Sequence, residues 1–405
     1  MRAQLYLGGK CQAIYSFFVR SGFTYDYKTD GWLRRTDDGP ERVSWSYMHS
    51  YATAVPRDND DSRAFSSRNI AATLELWADH ARKQTISGLC AEIESWAPDV
   101  PDDERERLYA ETWERWIDAV CKEGHELSTV VMQHWVWQIK RKLYGLPVTD
   151  HMCPILQGAT GSGKSTEVTR LLAPVDIVVS RQSLDQLIDE RHYVELSRHY
   201  IVYIDEMAGA AKAELARLKS LITDETISGH VFHSQRRAVV KQNATLLGSS
   251  NLRVSSVITD ETSARRYWEL RCRDRLDWDA LQTIERRWLW ASIDAQADSS
   301  LRGETLRQVN ELQHAKLRTL PEIEVWVGEI GLGRGQTKVP WCHVWEAWRI
   351  YCAETNAATM TRSRFIAKFK EILGGPVVYR DATTRGVMLS HDPRPAGRAR
   401  GLRAV

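Results

Sequence analysis

The sequence has few cysteines, and their arrangement supports neither a disulfide framework nor a structural metal. Its seven cysteines are odd in number and widely scattered, and no two of them form a CxxC pair. Disulfide scaffolds and zinc ribbons both need closely spaced cysteines. We therefore expect reduced cysteines that pack as small apolar residues.

Long apolar runs are also lacking. No stretch reaches the roughly 20 apolar residues that cross a bilayer, and the first residues, MRAQLYLGGK, lack the features of a signal peptide. With 24 Gly and 12 Pro residues, the chain is neither collagen-like nor of low complexity. These absences predict a globular, cytoplasmic protein that does not bind a membrane.

A strong net charge is lacking as well, since the formal value is only +2. The basic residues are nevertheless concentrated at one end: residues 362–405 contain ten Lys and Arg against three Asp and Glu. Phosphate contacts supply much of the affinity of proteins for nucleic acids. The asymmetry therefore favours a polyanionic partner.

Periodicity and composition predict an N-terminal half with two regions. Residues 1–85 mix aromatic strand-like segments with turns, including a hairpin through Asp30-Gly31 and an exposed loop over Pro56–Ser62, and no chemistry can be assigned to them. Residues 86–150 have helical spacing and predict a helical collar. One face of its last helix is predicted to pack under the next domain; it contains Val131, Trp135, Gln138 and Lys142.

The second half predicts three further regions. Residues 151–300 alternate short β-branched runs with helices, as in a layered α/β sheet. A charged helical linker is expected over Asp279–Leu320. Residues 318–392 contain two short amphipathic helices followed by two strand-like segments, an order that resembles a winged helix, and residues 393–405 form a basic tail.

The segment GATGSGKS fits the phosphate-binding loop pattern GxxxxGKS/T. It follows the strand-like run Pro154–Gln157 and opens a helix, which is the context that this loop requires. Loop N–H groups and the helix N-terminus favour phosphate. A glycine-rich turn of no function is the alternative, which the Lys-Ser pair disfavours. We predict an ATP site at Gly158, Ala159, Thr160, Gly161, Ser162, Gly163, Lys164, Ser165 and Thr166, with Ser165 also binding Mg²⁺.

Polar residues follow two further apolar runs. Asp205 and Glu206 come directly after Tyr200–Ile204, and Asn251 comes after Thr245–Ser250. The carboxyl ends of parallel strands face the ligand, so we predict that Asp205 holds Mg²⁺ through water and that Glu206 is the general base. The amide of Asn251 would orient water. The alternatives are a solvated acidic turn and an ordinary turn asparagine.

Two adjacent arginines, Arg265 and Arg266, precede an apolar Tyr-Trp pair. Arginines need partners if they are buried, and the guanidinium group is suited to reach a γ-phosphate from an adjacent subunit. A catalytic role across a subunit interface is therefore predicted. Solvated surface arginines are the alternative.

In this order, GATGSGKS, YIVYIDE, LLGSSN and DETSARRYW resemble the motifs of the virulence-associated protein E family of phage, prophage and plasmid ATPases, related to the superfamily 3 helicases of the AAA+ class. The resemblance covers residues 131–272. It implies an AAA+ core, a usually hexameric ring with ATP and Mg²⁺ between subunits, and single-stranded DNA passing through its centre. The family's Gly-Asn is replaced by Ser263-Ala264, which leaves open which arginine reaches the phosphate.

Two regions are candidates for DNA contacts. Ser228–Lys241 has two β-rich arms around a polar turn, and superfamily 3 members carry a DNA-contacting hairpin at this place; the implied contacts are His230, His233, Arg236, Arg237 and Lys241. A solvated hairpin is the alternative. The candidate recognition helix of the winged-helix region carries Arg362, Arg364, Lys368 and Lys370, which suit duplex origin DNA, or else a protein partner.

The preferred hypothesis is an ATP-dependent, ring-forming DNA helicase that replicates a mobile element in a bacterial cytoplasm. A replication primase or another replisome protein is a candidate partner. Priming activity is not expected of the chain itself, because the 150 residues before the phosphate-binding loop are too few for a primase plus a helical collar. The alternative is an ATP-gated initiator or loader, which assembles on an origin without processive unwinding.

Overall fold

A computed structural model of the chain describes residues 9–54, 65–189, 193–207, 212–230, 237–252, 264–317, 322–355, 360–373, 378–380 and 385–394. The loop predicted over Pro56–Ser62 and nearly all of the basic tail lie outside these residues. Within them, no helix is long and apolar enough to cross a membrane.

The N-terminal region is a small α+β unit. Its elements are α1 (Gly9–Arg20), β1 (Phe23–Asp26), β2 (Gly31–Thr36), β3 (Gly39–Val43) and α2 (Trp45–Ala54). The three strands form an antiparallel sheet in the order β1-β2-β3, and the predicted hairpin is present, with Gly31 opposite Asp26. Buried aromatic and aliphatic residues close the unit, among them Ile14, Phe18, Phe23 and Met48.

Three long helices follow: α3 (Ser67–Ser95), α4 (Asp102–Val120) and α5 (His125–Leu143). The domain boundary predicted between residues 85 and 86 is wrong, because these residues lie within the continuous helix α3. The first half of α3 packs in the N-terminal core through Ile70 and Leu74, and the second half packs in the central core through Leu89 and Ile93. One continuous helix therefore belongs to both cores.

The central part is a layered α/β structure, as the sequence predicts. Along the chain it contains β4 (Cys153–Gln157), α6 (Lys164–Leu172), β5 (Val179–Gln182), α7 (Leu184–Ile188), α8 (Tyr193–Leu196), β6 (Ile201–Ile204), α9 (Lys212–Thr223), β7 (Thr226–His230), β8 (Arg237–Lys241), β9 (Thr245–Ser250) and β10 (Tyr267–Arg271). Five strands form one sheet in the order β10-β4-β9-β6-β5, and all of its pairs are parallel. Strands β7 and β8 form a separate antiparallel hairpin.

Alternation of side chains along the strands divides the apolar residues of the central sheet between two cores. Leu156, Tyr203 and Leu247 face one core, whereas Ile155, Val202 and Leu246 face the other. Apolar residues on both faces are typical of a parallel sheet covered on two sides. The strands therefore lie in the interior, and polar groups are found where the strands end.

Helix α5 packs under the sheet, as its apolar face predicts. The indole Nε1 of Trp135 donates to the carbonyl oxygen of Leu246 at 2.9 Å. The side chain of Gln138 exchanges two hydrogen bonds with the backbone of Met152, at 3.1 and 3.0 Å. These buried bonds align α5 with β4 and β9.

The helical structure predicted over Asp279–Leu320 is present in the described part of this segment, but the segment is not a linker. This segment forms α10 (Trp278–Gln282), α11 (Arg286–Ala291) and α12 (Gly303–Leu317), and buries Leu281, Trp290 and Val309 in the central core. The charged fraction of the segment is close to that of the whole chain, and its apolar residues are spaced so that several of them face the core together. The segment is therefore part of the central unit.

The C-terminal region has its own core. Its elements are α13 (Glu322–Glu329), β11 (Arg334–Pro340), α14 (Trp341–Thr355), α15 (Arg362–Ile372), β12 (Val378–Arg380) and β13 (Arg385–Leu389). The strands form an antiparallel sheet in the order β11-β13-β12 around packed rings of Trp326, Trp348, Phe365 and Phe369. Two helices followed by a hairpin match the predicted order, whereas α13 and β11 were not predicted. The winged-helix assignment itself stays a prediction.

One buried carboxylate connects the helix after the phosphate-binding loop to its neighbours. Glu167 on α6 is 0% exposed, and its Oε1 accepts from the indole Nε1 of Trp116 on α4 at 2.8 Å. Arg286 on α11 donates to both oxygens, at 2.9 and 2.6 Å. The charge of Glu167 is thus balanced by a bidentate guanidinium, the geometry that gives strong charge-assisted bonds.

We expect Arg286→Ala to destabilise the central core by about 3–5 kcal/mol, because it leaves a buried carboxylate without its counter-charge. Urea denaturation measures this change in the free energy of unfolding. The matched control is Arg302→Ala, which removes an exposed ion pair with Asp298 and should cost at most about 1 kcal/mol. Equal effects of the two substitutions would contradict the role given to Glu167.

Candidate nucleotide-binding site

The predicted phosphate-binding loop connects the end of β4 to the start of α6. Gly161 and Gly163 have φ values of +81° and +104°, a left-handed conformation that glycine adopts without strain. A Cβ at Gly163 would also lie 2.5 Å from a ring atom of Trp278. Backbone conformation and close packing therefore both require glycine at this position.

Lys164 lies inside the loop that precedes it. Its side chain is buried, and the ammonium Nζ donates to the carbonyl oxygens of Gly158 at 2.7 Å and Ala159 at 2.8 Å. The α6 N-terminus begins at the same residue, so a positive charge and a helix dipole coincide. An anion placed over the loop would meet this ammonium group, which can exchange its carbonyl partners for phosphate oxygens.

Asp205 follows β6, and three hydroxyl groups converge on its carboxylate. Oδ1 accepts from Ser249 at 2.7 Å, Tyr203 at 2.9 Å and Ser165 at 3.0 Å. Burial alone would raise the pKa of Asp205, but these hydrogen bonds and the charge of Lys164 outweigh it and lower the pKa below its usual value. Asp205 is therefore an anion held beside the hydroxyl of the phosphate-binding loop.

Glu206 has an unusual backbone conformation. Its φ is +66°, in the left-handed region that residues other than glycine rarely adopt. The turn is held by Ser249, whose hydroxyl accepts from the N–H of Glu206 at 3.2 Å and whose carbonyl accepts from the N–H of Met207 at 2.8 Å. Backbone strain of this kind is found at functional sites. It turns the Glu206 side chain to the exposed surface while Met207 is buried.

Asn251 follows β9, the strand between β4 and β6. The N–H of Gly158 donates to the carbonyl oxygen of Ser250 at 3.1 Å. Asn251, the next residue, therefore lies beside the phosphate-binding loop. Its side-chain Oδ1 is buried and has no hydrogen-bond partner within the part of the chain that the structure describes. A buried acceptor without a donor is costly, and a water or ligand group would satisfy it.

Sequence reasoning missed three residues of this site: Ser249, Tyr203 and Trp278. Ser249 and Tyr203 donate to Asp205, and the Trp278 ring packs on Gly163 with the Arg170 guanidinium 4.9 Å from its centroid. Tyr203 carried a signal, because residues two apart on a strand face the same side. Trp278 carried none, since it comes from a distant segment.

The two arginines lie at the N-terminal ends of the strands, whereas the phosphate-binding loop follows a C-terminal end. In the parallel pair of β10 with β4, Tyr267 is opposite Cys153 and Arg271 is opposite Gln157. Arg265 and Arg266 therefore precede the start of β10, roughly 13 Å or more along the strand from the phosphate-binding loop. Arg265 is exposed and Arg266 is 9% exposed, and both line a cavity of 210 Å³ together with His151 and Asn310.

The predicted DNA contacts are only partly described. His230 and Arg237 are paired at the described end of the β7–β8 hairpin, and Lys241 is exposed at its base. His233 and Arg236 lie outside the described residues. On α15, Arg362 and Arg364 are exposed and Lys368 is half-buried, while the ammonium of Lys370 lies 5.7 Å from the ring centroid of Trp341.

These residues fit a nucleotide with its metal ion. The Ser165 hydroxyl and the Asp205 carboxylate are 3.0 Å apart, and hard oxygen ligands are those that Mg²⁺ prefers. Lys164 and the left-handed glycines supply the phosphate-binding side. A parallel α/β sheet with this loop after one strand is compatible with a P-loop nucleotide-binding core.

The comparisons with known proteins agree with this class. Residues 100–319 match the model of the virulence-associated protein E-like domain family. Because the match covers more than half of the chain, the protein belongs to this family, and the resemblance predicted from the motifs is confirmed. The comparison with curated proteins gave no match.

Among solved structures, the chain is similar to the NrS-1 C-terminal region. An apo structure has 14% identity and a TM-score of 0.44 and covers 94% of this chain and 100% of that chain. The A form apo structure has 14% identity and a TM-score of 0.43, with coverages of 93% and 98%. These similarities are low, and we draw no function from them.

The hydroxyl of Ser249 should control the charge of Asp205. We expect Ser249→Ala to raise the pKa of Asp205, because the carboxylate loses a hydrogen bond that stabilises its charged form. Titration of the carboxyl carbon by NMR measures the change. Ser250→Ala is the control, since the Ser250 hydroxyl accepts from the N–H of Leu252 instead.

Ser249→Ala should also change how the free energy of unfolding depends on pH. A lowered pKa in the folded state stabilises the protein above the unfolded pKa, and this contribution is lost as the pH falls through the folded pKa. The stability lost on acidification should therefore be smaller in Ser249→Ala than in Ser250→Ala, and the loss should be complete at a higher pH. An unchanged Asp205 titration in Ser249→Ala would contradict the hydrogen-bond assignment.

Proposed function

We propose that this protein is an ATP-dependent, ring-forming DNA helicase of the superfamily 3 type, which replicates a phage, prophage or plasmid-type element. The observation that carries the proposal is the contact of Ser165, at the phosphate-binding loop, with Asp205, which follows β6, two strands away from β4 in the sheet. This contact combines a phosphate site with a metal site in one place. Membership of the virulence-associated protein E-like family supports a role in replication.

ATP and Mg²⁺ would be held by residues of three strand ends. Loop N–H groups and Lys164 bind the β- and γ-phosphates, and Ser165 and Asp205 hold Mg²⁺, which neutralises phosphate charge when bound. Glu206, exposed beside them, takes the proton from the attacking water. Asn251 orients that water through its buried oxygen, which has no hydrogen-bond partner among the described residues.

Arg265 would complete the site of an adjacent subunit. Both arginines precede the N-terminal end of β10, whereas the phosphate-binding loop follows the C-terminal end of β4. They are therefore poorly placed to serve the nucleotide site of their own chain. Arg265 is exposed and can cross an interface, whereas Arg266 is buried, although both arginines line the same cavity. This geometry supports a homo-oligomer, and the family resemblance favours a hexamer.

Single-stranded DNA would contact the β7–β8 hairpin in the central channel. The hairpin sequence carries His230, His233, Arg236, Arg237 and Lys241, and cationic side chains suit a phosphate track. The C-terminal unit, with exposed Arg362 and Arg364 on α15, would bind duplex origin DNA or a replisome protein such as a primase.

An ATP-gated initiator or loader is the second candidate. The excess of ten Lys and Arg over three Asp and Glu in residues 362–405 favours it, because origin assembly depends on duplex binding. Strand displacement on forked DNA with ATP separates the two functions. Unwinding by the protein supports the helicase, and duplex binding without unwinding supports the initiator.

Lys164→Ala and Glu206→Gln should fail in different ways. Lys164→Ala should abolish ATP binding, because the phosphate loses its ammonium partner. Glu206→Gln should bind ATP normally and hydrolyse it about 10²–10⁴-fold more slowly, because it lacks only the base. Calorimetric ATP titration and phosphate release measure the two steps. Equal loss of ATP binding in both variants would overturn the role of Glu206.

Mixing variants tests the site between subunits. Arg265→Ala alone and Lys164→Ala alone should both lack ATPase activity, and their mixture should regain part of it, because some interfaces then combine an intact loop with an intact arginine. Arg307→Ala, which removes an exposed ion pair on α12, is the control and should stay active alone. Absence of recovery at any ratio, with assembly intact, would place the site within one subunit.

A further inference from the structure

A cavity of 430 Å³ lies at the base of the β7–β8 hairpin, and the candidate ATP site does not use it. His151 precedes β4 and Gln242 precedes β9, so the cavity lies near the N-terminal ends of the strands, whereas the ATP site lies at their C-terminal ends. Ligand pockets usually have volumes of about 300–1,000 Å³. The lining side chains that matter here are Lys142, Leu146, Pro147, Lys241 and Gln242.

Hydrogen bonds fix the walls of this cavity. In the loop from α5 to β4, the N–H of Leu146 donates to the carbonyl oxygen of Arg141 at 2.8 Å, and Arg141 Nε donates to that of Pro147 at 2.5 Å. At the end of β8, the N–H of Gln242 donates to the carbonyl oxygen of Glu225 at 2.8 Å. A site that is formed before the ligand arrives loses little entropy on binding.

Two ammonium groups line the cavity. The Nζ of Lys142 donates to the carbonyl oxygen of Ala244 at 2.6 Å. Burial, followed by the charge of Lys241, lowers the pKa of Lys142 to about 7. An ammonium group that is removed from water needs a counter-charge. An anion between Lys142 and Lys241 would supply it to both.

Two carboxylates also line the cavity and limit its positive charge. Asp224 and Glu225 are both exposed, and Asp224 Oδ2 accepts from the hydroxyl of Ser220 at 2.6 Å. Within the described part of the chain, neither carboxylate makes an ion pair with Lys142 or Lys241. Two ammonium groups beside two carboxylates suit a single phosphate group better than a triphosphate.

The cavity also contains a buried acceptor and apolar side chains. Gln242 is 3% exposed; its Nε2 donates to the carbonyl oxygen of Leu221, whereas its Oε1 has no hydrogen-bond partner among the residues that the structure describes. A buried acceptor without a donor is costly, and an N–H group of a ligand would satisfy it. Leu146 and Pro147 add apolar surface on which a base can pack.

We propose that this cavity binds one nucleotide unit, with its phosphate between Lys142 and Lys241 and an N–H of its base donating to Gln242. The phosphate supplies the missing counter-charge, and the base satisfies the buried acceptor. The unit can come from a free nucleoside monophosphate or from a single DNA strand, whose unpaired bases leave their N–H groups free. This binding site does not depend on the helicase function.

The test measures how fast acetic anhydride modifies Lys142 in the full chain, by mass spectrometry of its peptides. Only the neutral amine reacts, and a phosphate beside the amine keeps it protonated. Thymidine monophosphate at saturation should slow the acetylation of Lys142 about tenfold at pH 7. Thymidine lacks the phosphate and should have no effect. The control is Lys122, which forms an exposed ion pair with Asp274 and should react at an unchanged rate.

An oligothymidine identifies the source of the nucleotide unit. Slowing of the Lys142 reaction by the oligothymidine but not by thymidine monophosphate assigns the unit to a DNA strand, and the reverse result assigns it to a free nucleotide; both support the proposal. If a strand is the source, Lys142→Met should bind the oligothymidine about tenfold more weakly, whereas Lys122→Met should bind it as the wild type does.

Three results would overturn the proposal. They are no slowing of the Lys142 reaction by either ligand, equal slowing at Lys122, and equal slowing by inorganic phosphate at the same concentration, which would reduce the site to one for anions. The acetylation rate of Lys142 reports only on its own cavity and requires no ATP hydrolysis. Failure of this proposal is therefore distinguishable from failure of the helicase proposal.

Discussion

The buried carboxylate of Glu167 is the constraint on which the position of the nucleotide site depends. Helix α6 carries Lys164 and Ser165 on its first turn and Glu167 on the same turn, facing the core. Trp116 and Arg286 bind that carboxylate from two other helices. A charge removed from water is costly unless its hydrogen bonds are complete, so the three helices have little freedom to move apart. The loop is held in place from its buried side.

The candidate functional residues lie at the two opposite ends of the parallel strands. Strands β4, β6 and β9 point the same way, so Lys164, Asp205 and Asn251 gather where these strands end. Arg265 directly precedes β10 and lies at the N-terminal ends of these strands. A candidate phosphate site and a candidate arginine finger at opposite ends of the strands suit a ring of identical chains. Each chain would then supply the phosphate-binding loop of one site and the arginine of the next site.

The phosphate-binding loop and Asp205 could be predicted because their signal is local: consecutive residues after an apolar strand determine the conformation. The membership of the family followed from the order of such motifs and was confirmed by the match over residues 100–319. Other expectations failed for a common reason. The linker over Asp279–Leu320 and the boundary at residue 85 were read from charge and composition, but Trp290 and Leu89 join the central core. Composition averages over a segment, whereas burial depends on a few well-spaced side chains.

Sequence by itself determined the family and the α/β class of the central region, and it predicted most residues of the candidate nucleotide site, because each is specified by short runs of neighbouring residues. Tertiary structure decided which distant groups complete that site. Ser249 and Trp278 reach Asp205 and Gly163 only through sheet order and the packing of α10. It also decided that Arg265 is exposed and that Arg266 is buried. Strand order, burial and orientation arise from contacts between segments far apart in the chain, which no local pattern contains.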